Sequence, residues 1–169
     1  DSTLTLRRVR LTAGRFAASG SGAGLEATRC TSILEDCEIV GNDATRGPRG
    51  GGGGGISSSG TVQGDDTRLV LIRCLVEGNL AAVGGGIAAI LADIRHCTIR
   101  GNIGGRGGGI FIERGSIVDT TISGNRSDAT FNEGCGGFVA TAVRFENVTV
   151  SGNWSASDDG LWGGCGGGC

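Results

Sequence analysis

Cys97 to Ile112 reads CTIRGNIGGRGGGIFI: a short alternating piece, a Gly-Asn turn, a run of glycines, and a second short apolar piece. The same order of features recurs along the chain, and aligning the copies on the turn decides the fold. The turns are Ala13-Gly14, Gly41-Asn42, Gly78-Asn79, Gly101-Asn102, Gly124-Asn125 and Gly152-Asn153, spaced by 28, 37, 23, 23 and 28 residues. Two residues before the turn stand Leu11, Ile39, Val76, Ile99, Ile122 and Val150; four before it stand Val9, Cys37, Cys74, Cys97, Thr120 and Val148. Seven before it stand Leu6, Leu34, Leu71, Ile94, Ile117 and Phe145. Nine before it stand Leu4, Ser32, Leu69, Ala92, Gly115 and Val143. The residues between are mostly Arg, Glu, Asp, Thr and Ser, which is the period-2 pattern of half-buried strands.

The pattern slips by one residue between the seventh and fourth places before the turn. A one-residue slip turns every later side chain to the opposite face of a flat strand, so the chain must bend there. After each turn, Gly24-Leu25, Gly55-Ile56, Gly86-Ile87, Gly109-Ile110, Gly137-Phe138 and Gly160-Leu161 pair a glycine with a large apolar residue. Each copy is thus read as three strand-like pieces, separated by two bends and a glycine-rich loop. A unit this small cannot bury its apolar face alone, and internal periods of this size mark stacked repeats. The expected fold is all-β: a parallel β-helix solenoid of about six coils, each of three short strands. At the usual strand spacing of about 4.8 Å the stack would be on the order of 30 Å long.

The 169 residues read as one domain, 1–169. The 36 glycines fall in register with apolar columns, which a low-complexity linker would not show. The net charge of −2 gives no field for nucleic acid or an anionic membrane surface. No run reaches the length of a membrane span, and no secretory leader opens the chain. The start at Asp1 without a methionine and the stop at Cys169, with the last coil barely complete, read as a segment of a longer chain, whose open end coils would be covered by further coils or by other protein chains.

The asparagines that follow the turn glycine are expected to tolerate left-handed backbone and to stack their amides from coil to coil. Asn42, Asn79, Asn102, Asn125 and Asn153 form this predicted structural ladder. Three glycosylation sequons occur, at Asn125, Asn147 and Asn153. Asn147 lies outward at the bend, whereas a ladder amide cannot also carry a glycan.

The motifs GGGIAAI, GGGIFI, GGFVA, FENVTVSGN and TTISGN cover most of the chain. They resemble the right-handed parallel β-helix repeats of the pectate-lyase-like superfamily, especially the polymorphic outer-membrane and adhesin-type repeats with Gly-Gly-x-Ile and Phe-x-x-Asn motifs. The resemblance implies an exported, cell-surface or extracellular structural or adhesive role, with carbohydrate among the conceivable ligands.

The same superfamily houses pectin-degrading enzymes, so a fragment of a carbohydrate-active enzyme is the alternative. Glycoside hydrolysis needs two carboxyl groups facing each other. The outward column that would carry them reads Glu26, Ser57, Ala88, Phe111, Val139 and Trp162. The Asn-Thr-Asp, Gly-His-Gly and Arg-x-Lys motifs of polygalacturonases are absent, and all 15 basic residues are arginine. Asp65-Asp66 and Asp158-Asp159 fall in separate loops, and the glycine run with Pro48 lacks the lysine of a phosphate-binding loop. No catalytic residue, metal ligand set or cofactor site is assigned. Phe111, Val139 and Trp162 instead form an outward apolar stripe, a candidate partner face.

His96 stands at the bend in the column Arg8, Asp36, Arg73, His96, Asp119, Asn147, where alternating charges predict surface pairs of Asp36 with Arg73 and His96 with Asp119. The seven cysteines divide in two. Cys37, Cys74 and Cys97 share an inward column and read as small buried residues with free thiols. Cys30, Cys135, Cys165 and Cys169 lie in loops or at the end and are the candidates for disulfides.

Overall fold

The computed structural model describes residues 2–15, 22–45, 52–59, 67–128, 134–155 and 167–168. These residues are all-β, with no helix among them, and every strand pairing is parallel. The first sheet runs Ser2–Arg7, Cys30–Glu35, Arg68–Ile72, Ile87–Arg95, Ile110–Val118, Phe138–Glu146, with Leu25–Ala27 and Ile56–Ser58 pairing alongside. The second runs Arg10–Thr12, Glu38–Val40, Leu75–Glu77, Thr98–Arg100, Thr121–Ser123, Thr149–Ser151. The third runs Leu80–Val83, Ile103–Arg106, Arg126–Ser127, Trp154–Ser155.

Successive repeats meet in register, like residue on like residue. Ile99 pairs with Val76 on one side and Ile122 on the other, and Ile94 pairs with Leu71 and Ile117. The four inward columns therefore make one continuous core, in which Leu34, Leu71, Ile94, Ile39, Val76, Ile99 and Ile122 are fully buried. Burial of each such side chain stabilises by about 1.5–3 kcal/mol. The same columns emerge at the ends, where Leu4, Phe145 and Val150 are 36%, 38% and 39% exposed and, among the described residues, are paired by a repeat on one side.

Strand composition differs from the sequence reading in one respect. The Gly-apolar piece does not form a sheet of its own; in the later repeats it runs straight into the next repeat's first strand, giving the nine-residue strands Ile87–Arg95, Ile110–Val118 and Phe138–Glu146. The third sheet is built from residues immediately after the turn asparagine, a stretch read as glycine-rich loop. LAAV, IGGR, RS and WS carry no alternation, and they are extended because neighbouring repeats supply their backbone partners, as in Leu80 N–H to Asn42 O and Ile103 N–H to Asn79 O, both 2.8 Å.

The bend at the phase slip has a definite form. Arg8, Asp36, Arg73, His96, Asp119 and Asn147 all hold left-handed backbone, with φ between 48° and 55°. Such a conformation costs a non-glycine residue about 1–2 kcal/mol, least for Asn and Asp. It is held in place by the stack: Asp36 N–H reaches Ile72 O, Arg73 N–H reaches Arg95 O, and His96 N–H reaches Val118 O, at 3.0–3.1 Å. At the Gly-Asn turn the expectation is corrected. The left-handed residue is the glycine, with φ of 66° at Gly41 and 60° at Gly101, and the asparagine after it is not left-handed. Ala13 takes the glycine's place in the first repeat with φ of 56°.

Candidate functional site

The turn asparagines form an unbroken file of hydrogen bonds. Asn42, Asn79, Asn102 and Asn125 each donate from both backbone N–H and side-chain Nδ2 to the Oδ1 of the next asparagine, ending on Asn153, at 2.9–3.0 Å. The second Nδ2 proton goes back one repeat, from Asn79 to Ile39 O, Asn102 to Val76 O and Asn125 to Ile99 O, at 2.9–3.0 Å. Every interior amide thus has both protons donated and its oxygen doubly accepted, although Asn79 and Asn102 are fully buried. Gly14 N–H donates to Asn42 Oδ1 and closes the file at the first repeat.

The file explains the glycine of the Gly-apolar pairs among the described residues. A Cβ on Gly109 would lie 2.9 Å from Asn125 Cγ and Nδ2; one on Gly24 would lie 2.9 Å from Asn42 Nδ2, and one on Gly86 3.0 Å from Asn102 Cγ. The amides rest directly on these glycine Cα atoms, so no side chain fits between.

The cysteine column is a second polar file inside the core. Cys37, Cys74 and Cys97 are free thiols donating to the carbonyl two residues back, Glu35 O, Ile72 O and Arg95 O, at 3.1–3.3 Å. The column also links repeat to repeat: Cys97 Sγ accepts from Cys74 N–H at 3.3 Å, and Thr120 Oγ1 accepts from Cys97 N–H at 3.2 Å. Thr120 repeats the thiol's role, donating to Val118 O at 2.8 Å. The contact with Cys74, together with burial, pushes the Cys97 thiol above its ordinary range. The hydroxyl of Thr120, next after three cysteines in the column, is the sequence signal for this hydrogen bonding.

The loop cysteines separate. Cys135 is disulfide-bonded and fully buried, with its partner outside the described residues. Cys30 departs from the disulfide expectation: it is a free thiol, its sulfur 3.6 Å from Ser32 Oγ. Cys165 and Cys169 lie outside the described residues.

The predicted outward column is continuous in register, Glu26 pairing with Ser57, Ser57 with Ala88, Ala88 with Phe111 and Phe111 with Val139, but Ser57 departs from the outward expectation and is buried, 1% exposed. Phe111 and Val139 are adjacent and half-buried, and the Arg106 guanidinium sits 5.5 Å over the Phe111 ring. A shallow groove of about 320 Å³ follows this column, with Val83, Ala88 and Phe111 as its apolar wall and Ser57, Ser59 and Glu113 as its polar groups. Such a surface offers ring contact and a few hydrogen bonds, the ingredients of binding. Trp162, like Pro48, Asp65-Asp66 and Asp158-Asp159, lies outside the described residues.

The surface charges pair from repeat to repeat. Asp36 takes a two-pronged contact from Arg73 at 2.7 and 2.9 Å, and that hydrogen bond holds its carboxyl below the usual range. His96 Nδ1 lies 3.5 Å from Asp119, and Arg7–Glu35 and Arg100–Glu77 close at 2.9 Å. Asp93 is the buried member: burial raises its carboxyl, but hydrogen bonds from Ser116 (2.6 Å) and Arg68 outweigh this and leave it lowered. Among the described residues no three of His, Cys, Asp and Glu gather as metal ligands, and no helix is long and apolar enough to cross a membrane.

Comparison of the chain with protein-family models, with curated proteins and with solved structures finds no match in any of the three.

Proposed function

We propose that the chain is a right-handed parallel β-helix of about six coils acting as a non-catalytic scaffold in an extracellular or cell-surface assembly. The observation that carries this reading is the pair of internal hydrogen-bond files. Asparagine amides and thiols, groups that elsewhere do chemistry, are here fully engaged in tying one repeat to the next. Surface pairs such as Arg7–Glu35, Arg73–Asp36 and Arg100–Glu77 likewise match acids to arginines across repeats. A chain organised this way is stiff along its stacking direction, which suits a spacer or display surface. The disulfide at Cys135 supports an oxidising compartment. In this reading the half-buried Phe111–Val139 stripe faces another protein chain or a carbohydrate.

Incubation with acidic and neutral polysaccharides, followed by sizing of the polymers, tests the non-catalytic part. Unchanged polymer length is the expected result, and chain cleavage would establish the carbohydrate-active enzyme instead. Fractionation of the source cells tests the location: recovery in the reduced cytosolic pool would contradict it.

A further inference from the structure

We infer that Asn147 is the N-glycosylation site of this chain, and that it alone of the three sequon asparagines accepts an oligosaccharide in the folded protein. The inference rests on the extracellular reading above. The three sequons are chemically alike in sequence, Asn125-Arg-Ser, Asn147-Val-Thr and Asn153-Trp-Ser, and the fold makes them unlike.

Attachment replaces one Nδ2–H by a bond to a sugar, so the amide keeps one proton. Asn125 uses both, one to Ile99 O and one to Asn153 Oδ1, each at 3.0 Å, and it is 1% exposed. Its Nδ2 is also packed on Gly109, where even a single added Cβ would approach to 2.9 Å. Asn153 is half-buried; its Nδ2 donates to Ile122 O at 3.0 Å and lies 3.1 Å from where a Cβ on Gly137 would stand. A sugar on the Asn125 amide would break the file of asparagines, and one on Asn153 would have to fit beside Gly137 on a half-buried amide.

Asn147 stands at the left-handed bend, with φ of 51°, and is exposed, as is Thr149 of its sequon. Its Nδ2 makes one contact, to Asp119 Oδ1 at 2.6 Å on the surface. The remaining proton is free to leave, and a glycan there projects from the bend between the first and second sheets without touching either internal file.

In the transfer, Asn147 Nδ2 bonds to the anomeric carbon of a polyprenyl-pyrophosphate-linked oligosaccharide. The carbon–oxygen bond to pyrophosphate breaks, the lipid pyrophosphate leaves with the electron pair, and the transferase takes the amide proton; nothing is oxidised or reduced.

The full chain is fused to a secretion leader in a glycosylating host, and the soluble secreted fraction is treated with an amide-cleaving glycosidase in heavy-oxygen water. Peptide mass spectrometry should show labelled Asp at position 147 and unmodified Asn at 125 and 153. Asn147→Gln and Thr149→Ala should each be secreted and should each lose the glycan entirely. An unmodified Asn147 in secreted chain whose Cys135 is oxidised would overturn the inference, as would a glycan on Asn125 or Asn153 in soluble folded protein. Because the leader forces export, this result is independent of where the native chain resides, which the cell fractionation above decides separately.

Discussion

Replacing Asn102 by alanine is the sharpest test of what holds the repeats together. The side chain makes four hydrogen bonds: Oδ1 accepts from Asn79 N–H and Nδ2 at 3.0 Å, and Nδ2 donates to Val76 O at 3.0 Å and Asn125 Oδ1 at 2.9 Å. Asn125 Oδ1 still receives Asn102 N–H in the variant, but two donors on Asn79 lose their only acceptor. Asn79 and Asn102 are fully buried, so bulk water does not reach them. Two orphaned donors at about 1–3 kcal/mol each give about 2–6 kcal/mol. A water entering the vacated volume pulls the cost toward the lower end, and about 3 kcal/mol is expected. Asn153→Ala removes the same kind of acceptor from Asn125. Asn153 is half-exposed, so solvent takes over, and the expected cost is about 1 kcal/mol. Urea unfolding followed by far-ultraviolet circular dichroism measures both. A cost for Asn102→Ala within about 0.5 kcal/mol of that for Asn153→Ala would refute the claim that the buried file stabilises the stack.

Gly109→Ala should destabilise by about 1–3 kcal/mol through overpacking against Gly137 O and the Asn125 amide; Gly101→Ala, with φ of 60° and open space, should cost only about 1 kcal/mol of backbone strain. Thermal melts of the two variants distinguish contact from conformation. Thr120→Val strands the Cys97 N–H and should cost about 1–3 kcal/mol, whereas Thr120→Ser keeps the acceptor and should cost less than half as much in the same urea assay. Asp36 and Asp93 both have carboxyls lowered from 3.8, so the stability they contribute is present above that value and is lost as pH falls through their lower folded values. Urea midpoints should therefore hold between pH 7 and about 4 and drop below it, with a shallower drop in Asp93→Asn; equal drops in the two proteins would remove Asp93 as a contributor.

The repeat, its register and the position of the bend were legible in the residues alone. Columns such as Ile39, Val76, Ile99 and Ile122 carry their own alternation, and a phase slip can be located by counting. Four things were not legible. The third sheet was missed because IGGR and LAAV have no intrinsic preference for extension and acquire it from the backbone groups of neighbouring repeats. The left-handed turn residue was misassigned because asparagine and glycine both tolerate that conformation, and only the side-chain bonds of Asn102 show that it serves elsewhere. Cysteine in an inward column reads as a small apolar residue until Cys97 N–H is seen to need an acceptor in the next repeat. Cys30 and Cys135 look alike as loop cysteines, and their different fates depend on what the fold places opposite them.

By itself, the sequence determined which residues face inward and that successive copies pile on one another, because periodicity is a property of the chain's own order. Only the tertiary structure decided where each amide, thiol and backbone N–H finds its partner. A hydrogen bond needs a second group within about 3 Å, and for the turn asparagines that group lies a whole repeat away.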